Sequence, residues 1–345
     1  MQTQTNPKWN SAQPALSVVI LGFRRADLLA RAISSFRAHS TLEDWELVLV
    51  LNGASAEVLR FSAELLANAD FPLLVLEASG RRPGAARNLG VAQARGELLL
   101  FLDDDIECFQ DLGKAASALF RDPALLAAGG ANLTPPDSGA LERAAGFVLA
   151  SYLGAASMRG RYRQLAEGPS GEHALILCNL AIRREAFFAQ GGFATHLISN
   201  EENVLLQQLD HPGTKLWHSP RLAVYHRRRE TWAGTWEQAA KYGAGRAQNL
   251  LLLPHTLRPL YFLPTFFLFY LLCLPYFSAS PLAFLPLVSY ALLVALFTTS
   301  FATRDRAGWL AAGLFPWIHL AYGFGFARAL LSWGLRRKKL LEHAL

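Results

Sequence analysis

The sequence predicts an α/β protein built on a mostly parallel sheet, followed by C-terminal transmembrane or interfacial helices. Three observations carry this. Apolar runs of strand length alternate with helical segments of about 10–15 residues through the first hundred positions. Those runs are nearly continuous in apolar residues, as in strands covered by helices on both faces. After residue 250 come three long hydrophobic stretches, 259–277, 281–300 and 309–333. The second carries no charge and is close to the roughly 20 residues that span a bilayer.

Residues 1–15 read as a disordered lead, polar and without the apolar run of a signal peptide, so the sheet domain is expected in the cytoplasm. SVVIL at 17–21 is the first strand and ADLLARAISSFRAH the first helix. ELVLVLNG follows as a strand ending in an Asn-Gly turn, then a helix over 55–69, then the strand PLLVLEAS. PGAARNLGVAQARG is helical after its first residues, and ELLLFLDDD is the fourth strand. Ligands of such sheets bind beyond the C-terminal strand ends, where Asn52, Ser79 and Asp103 stand. The stretch 127–172, rich in Gly, Ala, Ser and Pro, is either a mobile lid, an acceptor-specificity insert or plain irregular surface. HALILCNLAIRREAFFAQGGF then reads as strand, helix and glycine turn. The expected division is a sheet domain over 16–250, membrane helices over 251–335 and a basic tail over 336–345.

Composition supports the membrane reading: 52% of residues are hydrophobic and 17% charged, against about 45–50% and 25% in soluble domains. The net charge of +6 suits anionic partners such as nucleotide diphosphates, lipid phosphates or an anionic membrane. No nucleic-acid module is recognisable, so a nucleic-acid partner is not expected. Cys108, Cys178 and Cys273 have neither metal-ligand nor disulfide-framework spacing. Three crossings would place Arg336, Arg337, Lys338 and Lys339 outside, against the positive-inside rule. Two crossings with an interfacial or re-entrant helix would keep them inside. The uncharged 278–280 loop suits the outer side, and Arg304 and Arg306 suit the inner side.

Chemistry concentrates at a few points. Asp103, Asp104 and Asp105 follow a buried strand, and three adjacent carboxylates repel one another unless a cation relieves them. Residues 103 and 105 point the same way on extended backbone, so one can reach a ribose and the other a metal. Mg²⁺ or Mn²⁺ suits hard oxygen ligands shared with a diphosphate. The competing reading is a solvated acidic turn. Arg81, Arg82 and Arg87 are candidates for phosphate, and Asn88 for a backbone turn or a sugar hydroxyl. Glu201 and Glu202 open an apolar helix, either as favourable charges at its N-terminus or as a general base, with Glu202 preferred. His226 can complete a metal site or meet the leaving phosphate. Arg227, Arg228 and Arg229 suit diphosphate or a membrane surface. Trp232, Trp236 and Tyr242 can stack on sugars or sit at a lipid interface, and Gln238, Lys241 and Arg246 can bind acceptor or phosphate.

Together these residues resemble the family 2 glycosyltransferases, whose GT-A fold is a Rossmann-like, mostly parallel sheet. The resemblance covers roughly residues 16–246. SVVILGFRRADLLARAISSF resembles the opening strand and helix, which implies that Leu21 and Phe23 lie beside the nucleotide base. ELVLVLNGAS resembles the second strand, with Asn52 where the family often has Asp, implying a neutral hydrogen bond to the base. GAARNLG followed by ELLLFLDDD is the most specific match and implies metal binding by Asp105 and nucleotide contact by Asp103. NLAIRREAFFAQGGF resembles the acceptor-side element, which puts the family's Glu-Asp pair on Glu202 and Asn203. An asparagine cannot take a proton, so the base becomes Glu202 or Glu201. YHRRRETWAGTWEQAAKYGAGR with the apolar helices is similar to membrane-bound members that build exopolysaccharide or lipid-linked oligosaccharides. The resemblance implies an inverting, metal-dependent transfer of one sugar from a nucleotide-sugar donor, UDP-linked by default. The acceptor would be a polyprenyl-diphosphate-linked glycan. QAAKY only loosely matches the Gln-x-x-Arg-Trp motif of processive polysaccharide synthases, which remain a rival reading. A non-catalytic scaffold and a nucleotidyltransferase are the others.

Overall fold

The computed structural model describes all residues except 1, 10–12, 198, 255–257 and 335–345. The basic tail at 336–345 therefore lies outside the described residues. The chain divides into two compact units, one of 1–133, 160–197 and 201–226, the other of 134–159, 198–200 and 227–345. The change of hydropathy at 250 is thus not where the packing changes: residues 227–250 cluster with the apolar helices.

The first unit contains strands β1 (Thr3–Thr5), β2 (Leu16–Gly22), β3 (Trp45–Asn52), β4 (Leu73–Ala78), β5 (Leu98–Asp103), β6 (Ile106–Glu107), β7 (Leu125–Gly129), β8 (Asn132–Leu133), β9 (Gly168–Pro169), β10 (Asn179–Arg183), β11 (Lys215–His218) and β12 (Val224–His226). The main sheet has the order β1-β4-β3-β2-β5-β10-β7-β11-β9. Strands β4, β3, β2 and β5 are parallel, the core that the sequence alternation predicts. Strand β10 runs antiparallel between β5 and β7, so the sheet is mixed beyond β5. A small second sheet, β6-β12-β8, pairs His226 with Ile106 and so brings the end of this unit back to the aspartate run.

Alternation along the strands sorts two cores. Val18, Ile20, Leu47, Leu49, Leu100 and Leu102 face one side, under Leu29, Ile33 and Phe36 of helix Ala26–His39. Val19, Val48, Val50, Leu99 and Phe101 face the other, under Ala86 and Val91 of helix Pro83–Val91. Burial on both faces explains why these strands lack polar alternation.

The polar lead departs from the expectation of disorder. Thr3–Thr5 adds an antiparallel edge strand to β4. Asn6 then donates to the Phe71 carbonyl (2.8 Å) and accepts from the Leu73 N–H (3.0 Å). Main-chain hydrogen bonding holds this segment, and that leaves no hydrophobic signature.

The second unit is helical. It holds Ala140–Leu149 and Tyr152–Ala155, the two short helices of the Gly/Ala-rich stretch, and the long helix Trp232–Leu252. Among the described residues, three segments are long and apolar enough to cross a membrane: Pro259–Phe277, Pro281–Ala302 and Arg306–Trp333. Few residues of the first two are buried, whereas 44% of those in the apolar window of the third are buried within the protein. Helix Ala311–Gly334 packs along Trp232–Leu252. A Cβ on Gly325 would collide with the Ala240 carbonyl, and one on Gly243 with that of Tyr322. Small residues at this contact let the backbones approach, as in membrane helix pairs.

Candidate active site

The site is assembled at the C-terminal ends of the parallel strands. Leu21 lies opposite Asp103 in register, so the β2 and β5 loops leave the sheet side by side. The next residue to leave β2, Phe23, is 43% exposed. Its N–H donates to Asp104 Oδ2 (3.3 Å). Asn52 spends its side chain on the neighbouring loop, donating to the Arg81 carbonyl (2.9 Å) and accepting from the Arg81 N–H (2.8 Å). It fixes the turn after β4 and leaves the Arg81 and Arg82 side chains exposed.

The three aspartates have distinct surroundings. Asp105 meets His226 Nε2 through Oδ1 (3.2 Å) and Arg25 Nη2 through Oδ2 (3.1 Å). Asp103 accepts from Arg87 Nη2 (2.9 Å). Asp104 is pushed up to about 7, by burial first and then by repulsion from Asp105 and Asp103. This is the cost expected of three adjacent carboxylates beside an apolar strand. Asp103, Asp105 and His226 each offer a ligand atom, all within 4.8 Å of one another. Two hard carboxylates and an imidazole form a donor set that fits a divalent cation. The structure thus brings His226 to the metal candidates from far along the chain, through the pairing of β12 with β6.

Arg87 is placed differently from the phosphate contact considered for it. Only 8% exposed, it bridges Asp103 and Glu201, with Nη1 2.6 Å from Glu201 Oε1. Burial disfavours its charge, but Glu201, Asp103 and Glu202 outweigh that and raise its pKa. Gly84 makes the approach possible: a Cβ there would lie 2.8 Å from the Ala194 carbonyl oxygen. Asn88 takes the turn-fixing role, donating to the Phe193 carbonyl (2.8 Å) and accepting from the Phe193 N–H (2.9 Å). It thereby anchors the chain just after Gly191 and Gly192, whose φ values of 77° and 78° suit glycine.

Helix Glu201–Leu209 begins with Glu201, Glu202 and Asn203, which are 3%, 5% and 0% exposed. A helix N-terminus favours the carboxylates, yet at such burial each also needs a countercharge. Arg87 serves Glu201, and Arg161 serves Glu202 at 3.3 Å and also donates to Asn203.

Comparison with known proteins decides the family. The description "Glycosyl transferase family 2" matches residues 17–188. The chain carries a family 2 glycosyltransferase domain. It is 27% identical over 304 residues to the succinoglycan biosynthesis protein ExoA of Rhizobium meliloti, covering 84% of this chain and 87% of that one. It is 25% identical over 192 residues to the glycosyltransferase AglE of Haloferax volcanii, covering 55% and 59%. Among solved structures, the mannosyltransferase PcManGT of Pyrobaculum calidifontis, in complex with GDP-Man and Mn²⁺, shares the fold. Its TM-score is 0.61 at 14% identity, covering 95% of this chain and 90% of that one. S. aureus TarS 1-349 in complex with UDP-GlcNAc gives 0.51 at 14% identity, covering 91% of each.

This glycosyltransferase is therefore a nucleotide-sugar-dependent enzyme with a candidate metal site at the end of β5. Its first unit unites Leu21, Phe23, Asn52, Arg81, Arg87, Asn88 and the aspartates with His226, Glu201, Glu202 and Asn203. Arg229, Trp232, Gln238 and Arg246 belong to the second unit. There Trp232 meets Trp317 edge to face at 5.8 Å, and the Trp317 indole donates to the Trp232 carbonyl (2.8 Å). Arg246 is 5% exposed, with its guanidinium 4.7 Å from the Tyr261 ring centroid. Arg229 is exposed and Gln238 half-buried. Two functional candidates escaped sequence reading: Arg25, on Asp105, and Arg161, on Glu202.

Proposed function

We propose that this glycosyltransferase transfers one sugar, with inversion, from a nucleotide-sugar to a polyprenyl-diphosphate-linked glycan at the cytoplasmic face of a membrane. The observation that carries the donor half is the convergence of Asp103, Asp105 and His226 at the end of β5. Mg²⁺ or Mn²⁺ held by these three residues would neutralise the leaving nucleoside diphosphate. Support for this metal class comes from the donor set and from the Mn²⁺ in the PcManGT complex. A UDP-sugar is the first donor to test, with GDP-sugars beside it, because the two solved relatives carry one of each.

On the protein side, Leu21 and Phe23 flank the nucleotide base, and exposed Arg81 is available to the phosphates. Glu202 removes the acceptor proton as the hydroxyl attacks the anomeric carbon in a single displacement. Glu201 is the weaker candidate, since the 2.6 Å pairing with Arg87 ties it to a structural charge. Arg229, Trp232, Gln238 and Arg246 are proposed for acceptor or phosphate contact. The three apolar segments support a membrane-held acceptor. The name of the R. meliloti relative points to surface polysaccharide synthesis.

Membranes carrying the protein, incubated with a sugar-nucleotide panel and extracted lipid-linked glycans, test this reading by product mass. A single added sugar on a lipid-linked glycan is the expected result. Long polymer from one primer would favour a processive synthase, released pyrophosphate a nucleotidyltransferase, and no donor turnover a scaffold.

A further inference from the structure

The Gly/Ala-rich stretch contains a residue that no motif singles out. Arg161 closes the 3-10 helix Ala156–Arg161 and is 5% exposed. Its Nη1 lies 3.3 Å from Glu202 Oε1. Its Nη2 donates to Asn203 Oδ1 and to the Glu172 carbonyl, and stands 3.6 Å from Glu172 Oε2. Glu172 is itself 5% exposed. One guanidinium thus joins three buried residues of the first unit, Glu172 from its own segment and Glu202 and Asn203 from the next.

Elementary chemistry makes this arrangement specific. A guanidinium offers five donors in a planar fork, enough to hold two successive side chains of a helix turn and a loop at once. An ammonium carries the same charge without the fork. Asn203 contributes only an acceptor to Arg161; its Nδ2 has no hydrogen-bond partner among the described residues. A neutral oxygen at 203 leaves the guanidinium facing two carboxylates, Glu172 and Glu202, instead of three. The contact to Glu202 is also longer than the 2.6 Å pairing of Glu201 with Arg87, so it orients the carboxylate without gripping it as closely.

We propose that Arg161 is a positioning residue for sugar transfer, aiming the Glu202 carboxylate from the insert while Glu172 and Asn203 fix its own fork. This rests on the reading of Glu202 as the base. The test compares wild type, R161K, E202Q and R161K/E202Q in the full chain, in membranes. Transfer kcat, donor KM, Mn²⁺ binding and melting temperature are measured for each. Arg161→Lys is expected to lower kcat about 10- to 100-fold, the scale of a misaimed catalytic group, with donor KM and Mn²⁺ binding within about twofold of wild type. In the E202Q background the same change should have no further effect, because it acts through Glu202. If E202Q leaves no measurable rate, the split between kcat and donor KM in R161K alone decides. An unchanged kcat in R161K, a shift in donor KM alone, or an equal loss in both backgrounds overturns the inference. Full transfer by E202Q overturns the base reading and this inference with it, whereas an impaired E202Q beside a silent R161K, or beside an R161K effect that adds to it where a rate remains, overturns the inference alone.

Discussion

Two carboxylate clusters in the first unit are built on different electrostatic plans. At the proposed donor end, Asp103 and Asp105 have side chains 30% and 13% exposed, and Arg25 on Asp105 is half exposed. Asp104 between them sits at about 7, chiefly through burial, with like-charge repulsion next. At the proposed acceptor end, Glu201 and Glu202 have side chains 4% and 6% exposed, each on an arginine buried to a similar degree. The donor cluster keeps like-charge repulsion at Asp104 and partial exposure at Asp103 and Asp105, which suits a charge that arrives with the substrate. The acceptor cluster carries its countercharges permanently, which suits groups held in one geometry. Arg87 touches both, pairing Asp103 with Glu201.

Breaking the donor cluster should have the largest effect. Asp105→Ala is expected to reduce metal-dependent transfer on the order of 10³-fold or more, as loss of charge stabilisation at a leaving group does; transfer assays across a Mn²⁺ titration check this. Glu202→Gln should lower kcat by about 10²–10⁴, the worth of general-base catalysis, with nucleotide binding retained. Wild-type rates in that variant would move the base elsewhere.

The joint between the clusters should show in stability. Arg87→Met leaves Glu201 buried without its 2.6 Å partner, and breaking such a pair costs about 3–5 kcal/mol. Chemical or thermal unfolding in detergent reads this as a lowered midpoint. Chelation of divalent metal should give a smaller drop, restored by Mn²⁺, worth about 2.7 kcal/mol if the ion stood at 100 times its Kd. Asp105→Ala should erase that response. Asn52→Ala is the mildest change, removing two hydrogen bonds to the Arg81 main chain, for about 1–2 kcal/mol.

The same contrast marks what the sequence makes legible. The aspartate run announces itself because it ends an apolar strand in a repeating pattern, and the parallel core and the three apolar segments follow from local periodicity. The partners do not. Arg25 lies 80 residues from Asp105, and Arg161 lies 41 from Glu202, so no spacing links them. Arg87 reads as a candidate for phosphate, whereas the structure buries it between Asp103 and Glu201. Asn52 looks like a ligand contact and Asn88 like either a turn or a sugar contact, yet both pin main chain across loops, a role set by tertiary neighbours. His226 was legible as a metal candidate, but its route to Asp105 depends on a strand of three residues. Edge strand β1 escaped because three polar residues carry no hydrophobic period.

The most direct test of the donor site is Mn²⁺ binding to the full-length protein in detergent, followed by the ion's own EPR signal, alone and with UDP or GDP. Wild type should bind Mn²⁺ more tightly with a nucleoside diphosphate present, and Asp105→Ala and His226→Ala should each lose that binding while keeping the wild-type fold. Equal Mn²⁺ binding by Asp105→Ala would contradict a metal site at Asp103, Asp105 and His226.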